Sequence, residues 1–272
     1  MHLQQFAPPE SLKEHVRYFW TLESLDHSAT PKVFRTIADG CPGLFFQHPH
    51  QEPFRDEAGR QWPRVLLYGQ ATHHANIYAC GPFRAAGVYL HPSALSSVFG
   101  LHAAELTDSC LNLELLIAPQ HFFPAARLAD ATSGAQQIQL ISSYLQAKIS
   151  ANRRPVDADI EYAVAQIINA KGIISVGQLQ HDLRMSERSL QRRFKRHIGV
   201  PPKLFASICR FQMSLGQLRT ANYDKLSDIA FEHEYADQSH YTRVFKQFAG
   251  LSPYQYRKHS PEQVENFMLL RR

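Results

Sequence analysis

The chain contains no run of 18 apolar residues, which leaves no candidate membrane-spanning helix. Its first ten residues, Met1 to Glu10, lack the basic segment followed by an apolar one that marks a secretory leader. Cysteine is scarce: Cys41, Cys80, Cys110 and Cys209 are scattered and form no C-x-x-C pair. A disulfide framework is therefore not expected, and with no leader the thiols read as reduced and the chain as cytoplasmic. G-x-S-x-G, a phosphate-cradling glycine loop and H-E-x-x-H are also missing. No catalytic residue, cofactor or metal is assigned on this basis.

What is present is an uneven distribution of charge. The 272 residues carry a net charge of +5. Residues 1–150 hold 10 Lys+Arg against 12 Asp+Glu, whereas residues 151–272 hold 19 against 12. The basic surplus thus sits entirely in the second half, as a surface that holds a polyanion requires. The length suits two domains, and the 44% hydrophobic content suits packed cores.

The two halves also differ in hydrophobic period. Residues 65–68 and 85–90 are short apolar runs, and Pro42-Gly43, Gly69, Gly81-Pro82 and Pro92 punctuate this region. A β-rich barrel or sandwich is expected. Ile138, Ile141, Leu145 and Ile149 then form one stripe of a helix near 135–149. That stripe could pack on its own β domain or pair with a second copy. Residues 152–155 break the pattern, and helical periodicity follows. Ile160, Val164, Ile167 and Ile168 make one stripe, and Val176, Leu179 and Leu183 the next. The expected fold class is α+β: a β-rich domain over 1–151, a linker over 152–159, an all-α domain over 160–260 and a tail over 261–272.

The most informative feature is an internal repeat at a spacing of 51 residues. Leu190-Gln191-Arg192-Arg193-Phe194-Lys195 lies over Tyr241-Thr242-Arg243-Val244-Phe245-Lys246. Gly199 lies over Gly250, Pro202 over Pro253, and the N-cap residues Ser186 and Asp237 also match. Such a pattern reads as a duplicated supersecondary unit. On a wheel advancing about 100° per residue, Leu190 and Phe194 face inward in one copy, and Tyr241, Phe245 and Phe248 in the other. Arg188, Gln191, Arg192 and Lys195 gather outward in the first; Ser239, Thr242, Arg243 and Lys246 do so in the second. Each helix follows a shorter one across a tight turn, the geometry in which a second helix enters the major groove. Arg can bond bidentately to guanine and Gln to adenine, while Lys, Ser and Thr suit phosphates.

Residues of about 160–258 resemble the AraC/XylS DNA-binding module, two helix-turn-helix units joined by a long helix. The carrying residues include Met185-Ser186, Leu190 to Lys195, Gly199, Arg210, Ile229-Ala230, Tyr241, Arg243, Phe245-Lys246, Gly250, Ser252-Pro253 and Tyr256-Arg257. The resemblance implies base-reading positions at Arg188, Gln191 and Arg192, and at Gln238, Ser239, Thr242 and Arg243. With Ser186, Lys195 and Lys246 these form the expected DNA-binding set. Two positions depart from the family: Arg184 and Glu234 stand in the turns where members often carry Gly. Because the second copy sits behind an acidic turn, the first is expected to carry more of the base reading.

Residues 1–151 resemble, more loosely, the cupin-like sensory or dimerisation domain of some AraC-type regulators. Tyr18-Phe19-Trp20, Ala38-Asp39-Gly40, Tyr68-Gly69-Gln70 and Ala86 to Ala94 carry that likeness. It implies a transcription regulator whose partners are duplex DNA, a small-molecule effector, RNA polymerase and a second copy of the chain. The alternatives are a metal-dependent cupin enzyme fused to a DNA-binding module and a ligand-free architectural binder. His48, His50, His73 and His74 would be the ligands in the first case, yet no third partner stands at a suitable spacing. Tyr18, Phe19, Trp20, Phe45, Phe46, Tyr68, Tyr78 and Tyr89 could line a pocket, although such residues are more often plain core. No low-pKa environment is visible around Cys41, Cys80 or Cys110 that would suit an oxidant sensor.

Overall fold

Strict alternation of side chains builds the N-terminal half. Strands β1 (His2–Phe6), β2 (Val16–Ser24), β3 (Lys32–Thr36), β4 (Gly43–Gln47), β5 (Val65–Tyr68), β6 (Ala75–Ala79), β7 (Phe83–Leu90) and β8 (Cys110–Asn112) appear in that order. The computed structural model describes residues 1–28, 30–115, 123–152, 156–259 and 264–265. Six strands form one sheet in the order β1-β2-β7-β4-β5-β8, all pairs antiparallel. β3 and β6 form a second, smaller sheet, to which β9 (Val264–Glu265) adds a parallel pairing with β3.

Both faces of the large sheet are covered. Phe19, Leu44, Phe46, Val65, Leu67, Val88 and Leu90 point to one side, against Ile138, Ile141 and Leu145 of helix α3 (Gly134–Ala151). Trp20, Phe45, Leu66 and Tyr89 point to the other, into a core shared with Phe34 and Ile77 of the small sheet. Neighbouring residues on one strand therefore serve different cores, because the pleat reverses at each residue. The domain is a two-sheet arrangement with a helix on its outer face. Ile138, Ile141 and Leu145 of the α3 stripe are buried against their own sheet, and Ile149 is partly buried there. Two short elements, α1 (Ala94–Ser97) and a 3₁₀ turn at Ala103–Leu106, leave the end of β7, and α2 (Ala125–Asp130) precedes α3.

The second half is helical throughout: α4 (Ala158–Asn169), α5 (Val176–Leu183), α6 (Glu187–Ile198), α7 (Pro202–Thr220), α8 (Leu226–Glu232), α9 (Gln238–Ala249) and α10 (Pro253–His259). Pro201 and Pro202 begin α7 where a missing N–H costs nothing. Two cores result. Ile160, Val164, Ile167, Leu179, Leu190, Phe194, Ile198 and Phe205 make the first. Phe211, Leu215, Ile229, Tyr241, Phe245, Phe248 and Tyr256 make the second. Ile168 belongs to neither: it is 47% exposed, so the stripe on α4 is narrower than the sequence pattern suggests. Among the described residues no helix is long and apolar enough to cross a membrane. Residues 153–155 of the expected linker and most of the expected tail lie outside the described residues.

Candidate functional site

Each of the two repeat helices is fixed at both ends. Ser186 Oγ accepts the Ser189 amide at 3.3 Å, and Asp237 Oδ1 accepts the His240 amide at 2.7 Å. Gly199 (φ +99) and Gly250 (φ +76) terminate them in the left-handed region, where glycine is unstrained. The turns before them are also left-handed but carry side chains: φ is 51° at Arg184 and 52° at Glu234. Both turns thus hold the left-handed conformation with side chains in place, and these two residues accept its strain. The amides of Met185 and Tyr235, each one residue further on, reach back to Gln180 O (3.0 Å) and Ala230 O (2.9 Å). Ala236 then intervenes before the second cap, with no counterpart in the first. The second turn is one residue longer, so the left-handed residues stand 50 apart while the helices stand 51 apart.

The outward faces carry the expected residues. Ser186, Arg188, Gln191, Arg192 and Lys195 are exposed on the first unit; Gln238, Ser239, Arg243 and Lys246 are exposed on the second, with Thr242 half-buried. Arg193 differs from its arginine neighbours. Its Nε donates to Asp157 Oδ2 (2.9 Å) and its Nη2 to Asp159 Oδ2 (2.8 Å), tying α6 to the start of α4. Burial alone would raise the Asp157 carboxyl, but Arg193 and the Ile160 amide overcome that and hold it below the usual range. Gln191 Nε2 donates to Glu187 Oε1 at 2.9 Å, one helical turn back.

Between the units lies an open groove of about 730 Å³, bordered by Gln191, Lys203, Ser207, Arg210 and Glu234. Sequence reasoning assigned no role to Arg210. Its guanidinium lies 5.0 Å over the Tyr235 ring, and Nη1 donates to Glu234 O at 3.3 Å. It therefore holds the turn of the second unit from the connecting helix, which has no copy in the repeat to draw attention to it.

A second feature lies in the β domain. A cavity of about 240 Å³ opens within the core shared by the two sheets. Trp20, Phe45, Trp62, Tyr68 and Tyr89 supply aromatic wall, and Thr36 at the end of β3 with Ile37, Asp39 and Cys41 of the β3–β4 connection supply another side. Of the aromatics weighed from sequence as possible pocket lining, Trp20, Phe45, Tyr68 and Tyr89 line the cavity, Phe19 and Phe46 lie on the opposite face of the sheet, and Tyr18 and Tyr78 are not in the lining. Trp62 and Gln70 were not singled out as lining residues, because they come from connections between strands. Burial pushes the Asp39 carboxyl up to about 6 and the Cys41 thiol up to about 11, although Arg17 opposes both shifts. Burial also raises the phenols of Tyr68 and Tyr89, which stay neutral. Arg17 Nη1 donates to Cys41 Sγ at 2.8 Å. Gln70 is fully buried; its Nε2 donates to Gly40 O at 2.9 Å, while its Oε1 has no hydrogen-bond partner among the described residues.

The cavity wall continues into the contact between domains. Ile37 and Ala38 are buried in the core of the second helical unit, beside Ile208, Phe211 and Phe248. The Ala38 amide donates to Phe248 O (3.3 Å), and Gln212 Nε2 donates to Ala38 O. The first unit is held from another side: Thr107 Oγ1 donates to Gly199 O (2.8 Å), and Ser96 Oγ meets His197 Nδ1 at 2.8 Å. Both terminal glycines sit in this contact. A Cβ on Gly199 would stand 2.8 Å from Thr107 Oγ1 and 3.4 Å from Gln70 Cγ; one on Gly250 would stand 2.4 Å from the His74 ring. The C-terminal ends of both repeat helices thus abut the β domain.

The histidines considered as metal ligands fall in separate places, the His48 and His50 rings 5.6 Å apart at one of them. His48 Nε2 meets Ala129 O at 3.0 Å, His73 Nδ1 lies 3.3 Å from Asp108, and His74 packs on Gly250. Among the described residues no group of three or more His, Cys, Asp or Glu side chains could hold a metal ion.

Comparison with known proteins adds three findings. Residues 4–112 match a family model described as a domain of unknown function (DUF6597), and residues 179–259 match one described as a helix-turn-helix domain. An uncharacterized HTH-type transcriptional regulator from Haemophilus influenzae is 36% identical over 83 residues, covering 30% of this chain and 28% of the relative. The match therefore spans little more than a quarter of that protein's length. Among solved structures, ToxT from Vibrio cholerae aligns over 88% of this chain and 98% of its own, at 13% identity and a TM-score of 0.49. ToxT with bound unsaturated fatty acid aligns over 90% of this chain and 96% of its own, at 12% identity and 0.46.

Proposed function

From the AraC-type helix-turn-helix domain that forms the C-terminal part of the chain, we propose a sequence-specific DNA-binding transcription regulator whose β domain senses a small molecule. The observation that carries this reading is the pair of equivalent exposed faces, with Arg192 and Arg243 at matched positions in the more basic half of the chain. Helices α6 and α9 would enter successive stretches of major groove, about 34 Å apart along one face of the duplex. Ser186 and the lysines Lys195 and Lys246 would position the backbone, while Arg188, Gln191, Arg192 and Arg243 read bases. Gln238, Ser239 and Thr242 would complete the second unit, and Arg210 would act as a positioning residue through the Glu234 turn.

The sensing step follows from continuity between cavity and contact. The chain from Thr36 to Cys41 lines the cavity with Ile37, Asp39 and Cys41, and packs Ile37 and Ala38 into the second helical core. Gln70 lines the same cavity, bonds Gly40 and lies beside Gly199 at the end of α6. A ligand that moves this segment changes how both units are held. It can shift DNA affinity only by its differential affinity for the two arrangements.

The test is affinity for an operator under defined salt. Arg192→Ala and Arg243→Ala should each weaken specific binding by roughly 1–3 kcal/mol and relax preference at one position each. If both variants bind as tightly as the wild type, these faces do not read DNA.

A further inference from the structure

We infer that the cavity of the β domain takes a small protonated amine, a deeper statement of the sensing role proposed above and dependent on it. Three features of the wall point to this class. Its apolar surface is largely aromatic: Trp20, Phe45, Trp62, Tyr68 and Tyr89 face a volume of about 240 Å³. Aromatic faces attract a cation through the ring quadrupole, most strongly where water is excluded. The ring pairs are packed edge to face, Phe45 on Trp62 at 5.4 Å and Tyr68 on Tyr89 at 6.4 Å, so the rings are held before a ligand arrives.

Beside hydroxyls and thiols, the wall carries the carboxylates of Asp39 and Asp108 and the amide of Gln70. Asp39 contributes a carboxylate, held by the Cys41 amide at 3.0 Å. It lines the cavity, and burial is what pushes its carboxyl up. Gln70, completely buried, contributes an Oε1 that has no hydrogen-bond partner among the described residues. A buried acceptor without a partner costs free energy until a donor reaches it. Gln70 is anchored to Gly40, the residue after Asp39, so both acceptors belong to one corner of the cavity.

Among the described residues no Lys or Arg lines the cavity. Arg17 stands outside the wall, where it donates to Cys41 Sγ and its charge also acts on Asp39. His73 in the wall already lies 3.3 Å from Asp108, so a carboxylate ligand would enter against Asp39 and Asp108 with no lysine or arginine in the wall, at a desolvation cost the site does not offset. An ammonium group would find a carboxylate, an unused acceptor and aromatic faces together. Its N–H groups would satisfy Gln70 Oε1 and Asp39, and its hydrocarbon part would fill the space toward Leu66 and Ile77.

The test is calorimetric titration of the full chain with matched probes on two scaffolds: butylamine, butanol and butyrate, and 2-phenylethylamine, 2-phenylethanol and phenylacetate. At least one amine is expected to bind tenfold or more tightly than the alcohol and the acid of its scaffold. Asp39→Asn, which keeps the oxygen that accepts the Cys41 amide, should erase that preference while leaving alcohol binding within twofold. Equal or tighter binding of the acid or alcohol overturns the amine assignment and leaves a sensing cavity of another class. Silence of all six probes, together with unchanged operator affinity in their presence, counts against both the amine and the sensing role.

Discussion

Among the left-handed residues that carry side chains, Arg184 (φ 51°) and Glu234 (φ 52°), in the turns before the repeat helices, offer a perturbation whose sign follows from backbone sterics. An L-residue in this region places its Cβ too near the following carbonyl, at about 1–2 kcal/mol per residue. Glycine removes that contact, but its greater freedom in the unfolded chain returns roughly 0.5–1 kcal/mol. Arg184→Gly and Glu234→Gly should therefore each stabilise the helical domain by about 0.5–1 kcal/mol. For a chain of this size that corresponds to about 1–4 °C in Tm. The assay is urea denaturation followed by helical signal, with the midpoint rising at unchanged m. Alanine at the same positions keeps the Cβ and should give no comparable gain. Glu234→Gly carries a second consequence, because it removes a negative charge from the groove between the units. Its affinity for DNA should rise most at low salt, where phosphate interactions are least screened. Gly variants no more stable than the wild type, or Ala variants equal to them, would refute the assignment of strain to these turns.

Three further outcomes follow from particular contacts. The Asp157 carboxyl is held below its ordinary value, so the stability it provides is complete above about pH 4 and is lost as pH falls through the lower native value. Asp157→Asn should accordingly flatten the acid limb of a stability-against-pH curve. Burial lowers His15, His74, His91, His197 and His233, so for these groups too the native state binds fewer protons than the unfolded chain. Stability should be full above about pH 6.5 and decline below it, and His197→Gln should reduce that slope; a flat profile from pH 7 to 5 would contradict it. Gly199→Ala meets both a φ of +99° and an atom at 2.8 Å, so it should lower Tm and speed proteolysis between the domains, whereas Gly216→Ala, with open space around it, should not.

The helical half was legible because its signals are local. Caps at Ser186 and Asp237, terminal glycines at 199 and 250 and the inward Leu190, Phe194, Tyr241 and Phe245 are all set within a few residues. The repeat then checked each copy against the other. The β half was legible as strands but not as a site. Phe19-Trp20 and Phe45-Phe46 are neighbours in sequence, yet the pleat sends one of each pair to the cavity side and the other to the α3 side. Which residue goes where depends on which sheet covers which face, and that is a long-range fact. The docking of Ile37 and Ala38 into the second helical core joins positions about 170 residues apart. No periodicity encodes such a contact. The stretches Ala38-Asp39-Gly40 and Tyr68-Gly69-Gln70, noticed only as points of resemblance, turn out to join the cavity to the helical units.

The central claim is that one chain reads DNA with two helices at once. Selection of bound duplexes from a random pool, using the full chain, tests it most directly. The account predicts two distinct sequence blocks about one helical turn apart, 10–10.5 base pairs between centres, in fixed order and orientation. Repeating the selection with Arg192→Ala should blur only one block, and with Arg243→Ala only the other. A single block, a symmetric palindrome read by two chains, or enrichment without sequence would contradict it.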